Sequence, residues 1–326
     1  MKIMIYSCRD DERVLFEQYA RQWNLQLGYC NIQPTMENVH LAEGYPCISV
    51  VGTVISDELL REFARLGVKM ISTRSIGYEH INIALAKELG VKVANITYSP
   101  NAVADFAIML MLMSLRRARY IMERYRVKDF TLAWNQGREL RNMTVGVVGA
   151  GRIGQTVIRE ISGFGCKILV YNRHQNEEIK RYAEYVEYEE LLRRSDIITF
   201  HAPATEQTYH LLNRDNVKRL KPGVIIINTS RGALVDNKAL IDGLEQNIIS
   251  AVGLDVIDNE PVIYNVDHKN ALLMDHDIAV LESYPNVIIT PHTAFFTDQA
   301  VRDMVENSLQ NCVCFGEDQP IPGEIK

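Results

Sequence analysis

Short Val- and Ile-rich runs alternate with segments of helical period along most of this chain. IMIY (3–6) precedes a helical pattern over 12–23, CISVV (47–51) precedes DELLREFARL (57–66), and VKMIS (68–72) precedes NIALAKELG (82–90). Ser56 stands where it would cap the second of these helices, and Gly90 where it would end the third. Apolar runs without polar alternation predict strands buried on both faces, as in a parallel sheet. Ser99 and Pro100 then read as the cap and first residue of a long helix reaching about Arg124. The alternation restarts at TVGVVG (144–149) and continues through KILVY (167–171), DIITFH (196–201), VIIIN (224–228), ISAVGLDV (249–256) and NVIIT (286–290). A last helix is expected from near Thr297 to about Phe315.

This pattern predicts an α/β protein of two Rossmann-like parallel-sheet domains. Two helical crossings, at 100–124 and 297–315, would join them, with the ligand in the interdomain cleft. The length of 326 residues suits two domains. The first would be discontinuous, 1–99 with 294–326; the second would span 100–293.

Composition narrows the classes. A hydrophobic fraction of 47% with 23% charged residues is that of a soluble globular protein. The net charge of −6 argues against a nucleic-acid or anionic-membrane surface. The most apolar segment, AVADFAIMLMLMSL (102–115), is short of a membrane span and carries Asp105, so it reads as a buried helix. IMIY is interrupted by Cys8-Arg9-Asp10-Asp11 and reads as a strand rather than a secretory signal; the expectation is a cytoplasmic protein. The six cysteines include no C-x-x-C pair, and Cys312 and Cys314 read as buried thiols. The histidines lack ligand spacing, so no metal is expected. The stretch 261–285 is long for a connection and reads as a lid or an oligomer contact.

The restart carries Gly149-x-Gly151-x-x-Gly154 between a strand and a helix. The first glycine permits the tight turn, the second lets a pyrophosphate approach the backbone, and the third lets helix and strand pack closely. The helix that follows offers its free N–H groups to the phosphates. Residues 100–293 therefore read as a dinucleotide-binding domain and the remainder as the substrate-binding domain. The next strand ends at Tyr171-Asn172-Arg173, where an acid would bind the adenine ribose 2′-hydroxyl. Asn172 removes the repulsion an acid would impose on a 2′-phosphate, and Arg173 offers charge-assisted hydrogen bonds to it. NADP(H) is the expected cofactor, with NAD(H) as the alternative.

Three later segments sit at predicted strand ends: NTSRGALVD (228–236), GLDVIDNEP (253–261) and TPHTAFF (290–296). Strand C-termini line the crevice of an open parallel sheet, so Arg231, Glu260 and His292 are expected to converge. An arginine, an acid and a histidine around a nicotinamide suit hydride transfer to a carbonyl that bears a carboxylate. Arg231 would hold the carboxylate and polarise the keto oxygen. His292 would protonate that oxygen, and Glu260 beside it would favour the imidazolium.

The segments ISTRSIG, YSPNAVADFA, VGVVGAGRIG, SRG, DV…EP and TPH, in this order, resemble those of the D-isomer-specific 2-hydroxyacid dehydrogenase family over essentially the whole chain. Within the family the chain looks closest to the vancomycin-resistance-type D-lactate dehydrogenase, on STRSIG, MTVGVVG, FGCK and PNVIITPHTA. The resemblance implies reduction of a 2-keto acid to the D-2-hydroxy acid, with pyruvate to D-lactate favoured, and a homodimer. It makes Arg231, Glu260 and His292 the catalytic set. In the Arg74-Ser75-Ile76-Gly77 loop it implies that the N–H groups of Ile76 and Gly77 bind the substrate carboxylate, with Tyr98 lining the same pocket. Arg152 and Ile153 would touch the pyrophosphate. His201, Ala202, Pro203, Thr229, Ser230 and Asp255 would flank the cofactor, Asp255 near the nicotinamide carboxamide. Asn172 departs from NAD-preferring members. Phe295 stands where close relatives often carry tyrosine, which favours apolar substrates and leaves open a bulkier branched or aromatic 2-keto acid. A non-catalytic dinucleotide sensor on the same fold is the alternative of another class.

Overall fold

The computed structural model describes residues 1–258 and 275–326. These form two compact units, Met1–Ser99 with Phe296–Lys326, and Pro100–Phe295.

The first unit is a five-stranded sheet in the order β2-β1-β3-β4-β5, every pair parallel. Its strands are β1 (Lys2–Ile5), β2 (Gln26–Tyr29), β3 (Cys47–Val50), β4 (Met70–Thr73) and β5 (Lys92–Ala94). The connecting helices are α1 (Asp10–Gln22), α2 (Asp57–Arg65) and α3 (Ile83–Glu88). Ser56 caps α2, its Oγ accepting from Leu59 N at 3.2 Å. Gly90 closes the turn after α3 at φ +68°. β3 and β4 are buried throughout, because helices cover both faces of the sheet.

The second unit holds α4 (Asn101–Leu115), α5 (Ala118–Arg126), β6 (Thr144–Val148), α6 (Arg152–Ser162), β7 (Lys167–Tyr171) and β8 (Glu184–Tyr185). It continues with α7 (Tyr188–Arg194), β9 (Ile197–Phe200), β10 (Val224–Asn228), α8 (Asn237–Glu245), β11 (Ile249–Leu254), α9 (His276–Ser283) and β12 (Val287–Ile289). Its seven strands run β12-β11-β10-β9-β6-β7-β8, all parallel. The order reverses between β6 and β9, so the turns after these two strands flank the switch point where such sheets bind ligands. α4 packs on α6 and across β10 and β11, which explains its apolar sequence without a membrane. No helix among the described residues is long and apolar enough to cross one.

α10 (Asp298–Gly316) returns to the first unit, capped by Thr297, and packs on α1, β3 and β4. The chain end then covers the β5 edge: Ile325 N donates to Val93 O at 2.9 Å, and Ala94 and Glu324 form an antiparallel bridge.

Two local expectations are corrected. The helix expected over 100–124 is two helices, because Arg117 is left-handed at φ 54° and ends the first run. Arg119 in the next turn is held by the carbonyls of Glu282, Tyr284 and Val287, which draws α5 onto the end of α9. Ser99 is not the cap of α4. Pro100 already has helical dihedrals and accepts from Ala104 N at 3.1 Å, while Ser99 N donates to Asp303 at 2.8 Å. Of the long connection 261–285, residues 276–283 are α9, and 261–274 lie outside the described residues.

Candidate active site

The glycine turn meets the demands that a dinucleotide makes. Gly149 is left-handed at φ +94°, and a Cβ there would press on the backbone of His201 and Ala202 at 2.8 Å. A Cβ on Gly154 would overlap Gly149 O. Around Gly151, by contrast, a Cβ would meet none of the described residues within 4 Å, so that side of the turn is open to a ligand. α6 begins directly after Gly151 with no side-chain cap, which leaves first-turn N–H groups, Arg152 and Ile153 among them, available to an anion.

Asn172 ties this turn to the end of β7. Its Oδ1 accepts from Ala150 N at 3.0 Å and its Nδ2 donates to His174 O at 2.6 Å. Arg173 and His174 are exposed beside it. Across the switch point, His201 follows β9 and Thr229 follows β10, one step beyond the register pair Phe200 and Asn228. Both are buried. His201 pairs its Nε2 with Thr199 Oγ1 at 2.8 Å, and burial pushes its pKa down to about 3, so the ring is neutral. Its Nδ1 and the Thr229 hydroxyl are buried and have no hydrogen-bond partner among the described residues. Native interiors satisfy nearly all such groups, so these orphans are what a polar ligand would engage. Together, the open glycine, the uncapped helix and the two orphans fit a bound dinucleotide.

Asn228 organises the arginine segment. Its Oδ1 accepts from Ser230 N at 3.1 Å and its Nδ2 donates to Arg231 O at 2.9 Å, so one amide brackets the turn. Ser230 Oγ donates to Ala202 O at 2.7 Å, joining the ends of β9 and β10, and Pro203 follows exposed. A Cβ on Gly232 would overlap Ile257 O, so only glycine lets this turn lie against the segment after β11. Arg231 is half-buried there.

His292 sits on the turn after β12 at φ 51°, an unfavourable conformation for a side chain of its size. Buried Asp255 holds that turn in place. Its carboxylate accepts from Thr290 Oγ1 at 2.6 Å, Thr293 N at 2.9 Å and Ala294 N at 2.8 Å, and its carbonyl accepts from His292 N at 2.8 Å. Asp255 N in turn donates to Asn228 O at 2.9 Å. One chain of bonds therefore connects the arginine turn to the histidine turn. The Phe295 ring stands edge-on to His292, with centroids 6.0 Å apart. Glu260 lies outside the described residues, which reach Asp258 on that segment. Asp258 pairs with His210 at 2.9 Å, an anchor that spacing along the chain does not reveal. Among the described residues no three His, Cys, Asp or Glu side chains cluster as metal ligands would.

In the first unit, Ile76, Gly77 and Tyr98 follow β4 and β5 and are half-buried. Arg74 at the start of that loop is fully buried and paired with buried Glu12 at 2.9 Å. Neither Asn228 nor the Glu12–Arg74 pair carries a signature in a single sequence.

The profile of the family "D-isomer specific 2-hydroxyacid dehydrogenase, NAD binding domain" matches residues 108–294. A D-specific alpha-keto acid dehydrogenase of Enterococcus faecium is 40% identical over 96% of both chains. An aromatic 2-oxoacid reductase of Clostridium sporogenes is 39% identical over 95% of both. Among solved structures, a D-lactate dehydrogenase from Treponema pallidum superposes with a TM-score of 0.91 at 32% identity, each chain covered in full. Likeness of this extent, in sequence and in fold, leaves no part of either unit unaccounted for: the chain belongs to the D-isomer-specific 2-hydroxyacid dehydrogenases, oxidoreductases that use a nicotinamide dinucleotide.

Proposed function

We propose that this enzyme reduces a 2-keto acid to the D-2-hydroxy acid with NADPH, and that pyruvate is its substrate. The observation that carries the reading is the bonded connection from Asn228 through Asp255 to the His292 turn, which supports Arg231 and His292 acting on one substrate. The bound cofactor supplies the hydride. Arg231 orients the substrate carboxylate and polarises the keto oxygen. His292 donates the proton to that oxygen, and Glu260 favours its protonated ring. The N–H groups of Ile76 and Gly77 take the carboxylate, and Tyr98 lines the same pocket. Gly151, Arg152 and Ile153 receive the pyrophosphate, on the turn that Gly149 and Gly154 make possible. His201, Ala202, Pro203, Thr229 and Ser230 flank the rest of the cofactor. Asp255, with both carboxylate oxygens engaged by the His292 turn, serves as its anchor.

NADPH is favoured because Asn172 presents no charge and Arg173 stands exposed next to it. A second substrate reading, a bulky branched or aromatic 2-keto acid, is favoured by Phe295 against His292 and by the aromatic 2-oxoacid reductase among the relatives.

The test is initial rate with pyruvate using NADPH and NADH at equal concentration, repeated with 2-ketoisocaproate and phenylpyruvate. Faster NADPH turnover on pyruvate is expected. Turnover only on the bulky acids would transfer the assignment to the second reading, and cofactor binding without turnover on any acid would leave a dinucleotide sensor. His292→Ala should lose about 10²-fold or more in kcat.

We further infer a homodimer. Met122, Tyr125, Val127, Phe130, Leu132 and Trp134 are exposed within thirteen residues, Leu132 at 87%, a larger apolar stretch than monomers usually leave in water. A second copy is the occupant that the family resemblance implies. Light scattering should give twice the 37.2 kDa chain mass, and Leu132→Asp should give the monomer.

A further inference from the structure

The loop after β4 is gripped by its carbonyls. Ser75 O accepts from Ile96 N at 3.2 Å, Ile76 O accepts from Asn95 Nδ2 at 2.7 Å, and Gly77 O accepts from Ser75 Oγ at 2.7 Å. Three consecutive carbonyls are therefore fixed. A peptide unit is planar and trans, so its N–H points opposite to its C=O. Fixing Ser75 O aims the Ile76 N–H, and fixing Ile76 O aims the Gly77 N–H. Within the described residues no hydrogen bond uses either N–H.

The donor on Ile76 O belongs to a longer network. Asn95 O accepts from Asn311 Nδ2 at 2.9 Å, and Asn95 N donates to Gly323 O at 3.0 Å. Asn311 Nδ2 also reaches Ser72 Oγ at 3.3 Å, which accepts from Ser308 Oγ at 3.1 Å. Ser308 and Ser49 share a hydroxyl bond of 2.7 Å, and Ser49 Oγ accepts from Arg74 Nη1 at 3.0 Å. Arg74 then grips Glu12 and the carbonyls of Tyr6 and Ser7, at 3.0 and 3.1 Å. Ser49, Ser72, Arg74, Ser308 and Asn311 are all buried. A buried polar network in which each member is satisfied is rigid, and this one begins and ends on the same loop.

We propose that Asn95 is a positioning residue for the substrate: through the Ile76 carbonyl it aims the Gly77 N–H at the substrate carboxylate, and the buried network from Asn311 to Arg74 holds it there. This rests on the reading that Ile76 and Gly77 take that carboxylate. Asn95 itself touches neither substrate nor cofactor in this role.

The test compares the parent with Asn95→Ala, the near-isosteric Asn95→Asp, and Asn311→Ala. Each is assayed with pyruvate and with pyruvamide, which lacks the carboxylate, and NADPH affinity is measured by fluorescence titration. For the Asn95 variants the expected result is a KM for pyruvate raised about tenfold with kcat within about threefold. NADPH affinity should not change, and the preference for pyruvate over pyruvamide should narrow by a similar factor. Asn311→Ala should move the same quantities less. A parent that discriminates, with variants that discriminate equally, overturns the assignment of Asn95. A KM rise matched by an equal loss of NADPH affinity marks general loosening and overturns it too. A parent that reduces pyruvate and pyruvamide equally well removes the carboxylate reading, and this inference with it.

Discussion

The two units present backbone N–H groups in opposite ways. In the second, the turn after β6 relies on what is missing: Gly149 is left-handed, Gly154 has no room for a side chain, Gly151 faces open space, and α6 starts without a cap. In the first, the loop after β4 relies on what is added: side-chain and backbone donors hold three carbonyls, and a buried ion pair stands behind them. The first strategy puts its information into glycines at fixed spacing. The second puts it into contacts between residues far apart in the chain.

The contrast predicts different failures. The largest is expected from Glu12→Gln, which leaves the fully buried Arg74 without its counter-charge. Breaking such a pair costs about 3–5 kcal/mol, and chemical denaturation should show it. KM for the keto acid should rise while NADPH affinity in the surviving fold stays near the parent's. Gly154→Ala comes next, because its Cβ must displace Gly149 O; about 1–3 kcal/mol of stability and most of the cofactor affinity should go together. Gly151→Ala should separate the two effects. Its Cβ meets no atom of the described residues, so stability should fall only by what alanine costs at an N-cap, about 1 kcal/mol or less, while NADPH affinity falls about tenfold, or about 1.4 kcal/mol. Arg173→Ala should weaken NADPH by a similar factor and leave NADH alone; equal loss for both cofactors would mean that Arg173 does not meet a 2′-phosphate.

The effect of His201 is absent at neutral pH and appears only on acidification. Burial lowers its pKa from 6.5 to about 3, so the folded protein stays unprotonated where the unfolded chain binds a proton. Its contribution to stability is therefore complete above 6.5 and is lost as pH falls from there toward 3, at no more than about 1.4 kcal/mol per pH unit. His201→Asn should flatten that part of the stability profile. A variant with the parent's slope would show that His201 is not the group responsible.

Legibility follows the same divide. The Gly149 turn, the Ser56 cap and the apolar strands could be read because each depends on neighbours within a few residues. The break at Arg117 could not. Ser114 to Arg119 contains only ordinary helix formers, and the bonds that hold Arg119 just past the break reach carbonyls more than 160 residues away in sequence. Asn95 was unreadable for the same reason, since Asn311 lies 216 residues further on. The Arg231 and His292 segments were legible as strand ends, whereas the bonds through Asn228 and Asp255 that join them were not. Cys312 and Cys314 are buried free thiols, as their apolar helical context suggested.

The return of α10 to the first unit also sets an order of events during synthesis. Val305, Leu309 and Cys312 fill the same core as Ile3, Ile5 and Phe16, and the β5 edge waits for residues 323–325. Domains generally fold as units while the ribosome is still adding residues. The second unit is contiguous and has all of its chain by Phe295. The first, although its strands emerge earliest, cannot close its core until the last thirty residues have been made. The part of the enzyme that begins first finishes last, and an apolar sheet face stays in need of protection for as long as the other unit takes to be translated.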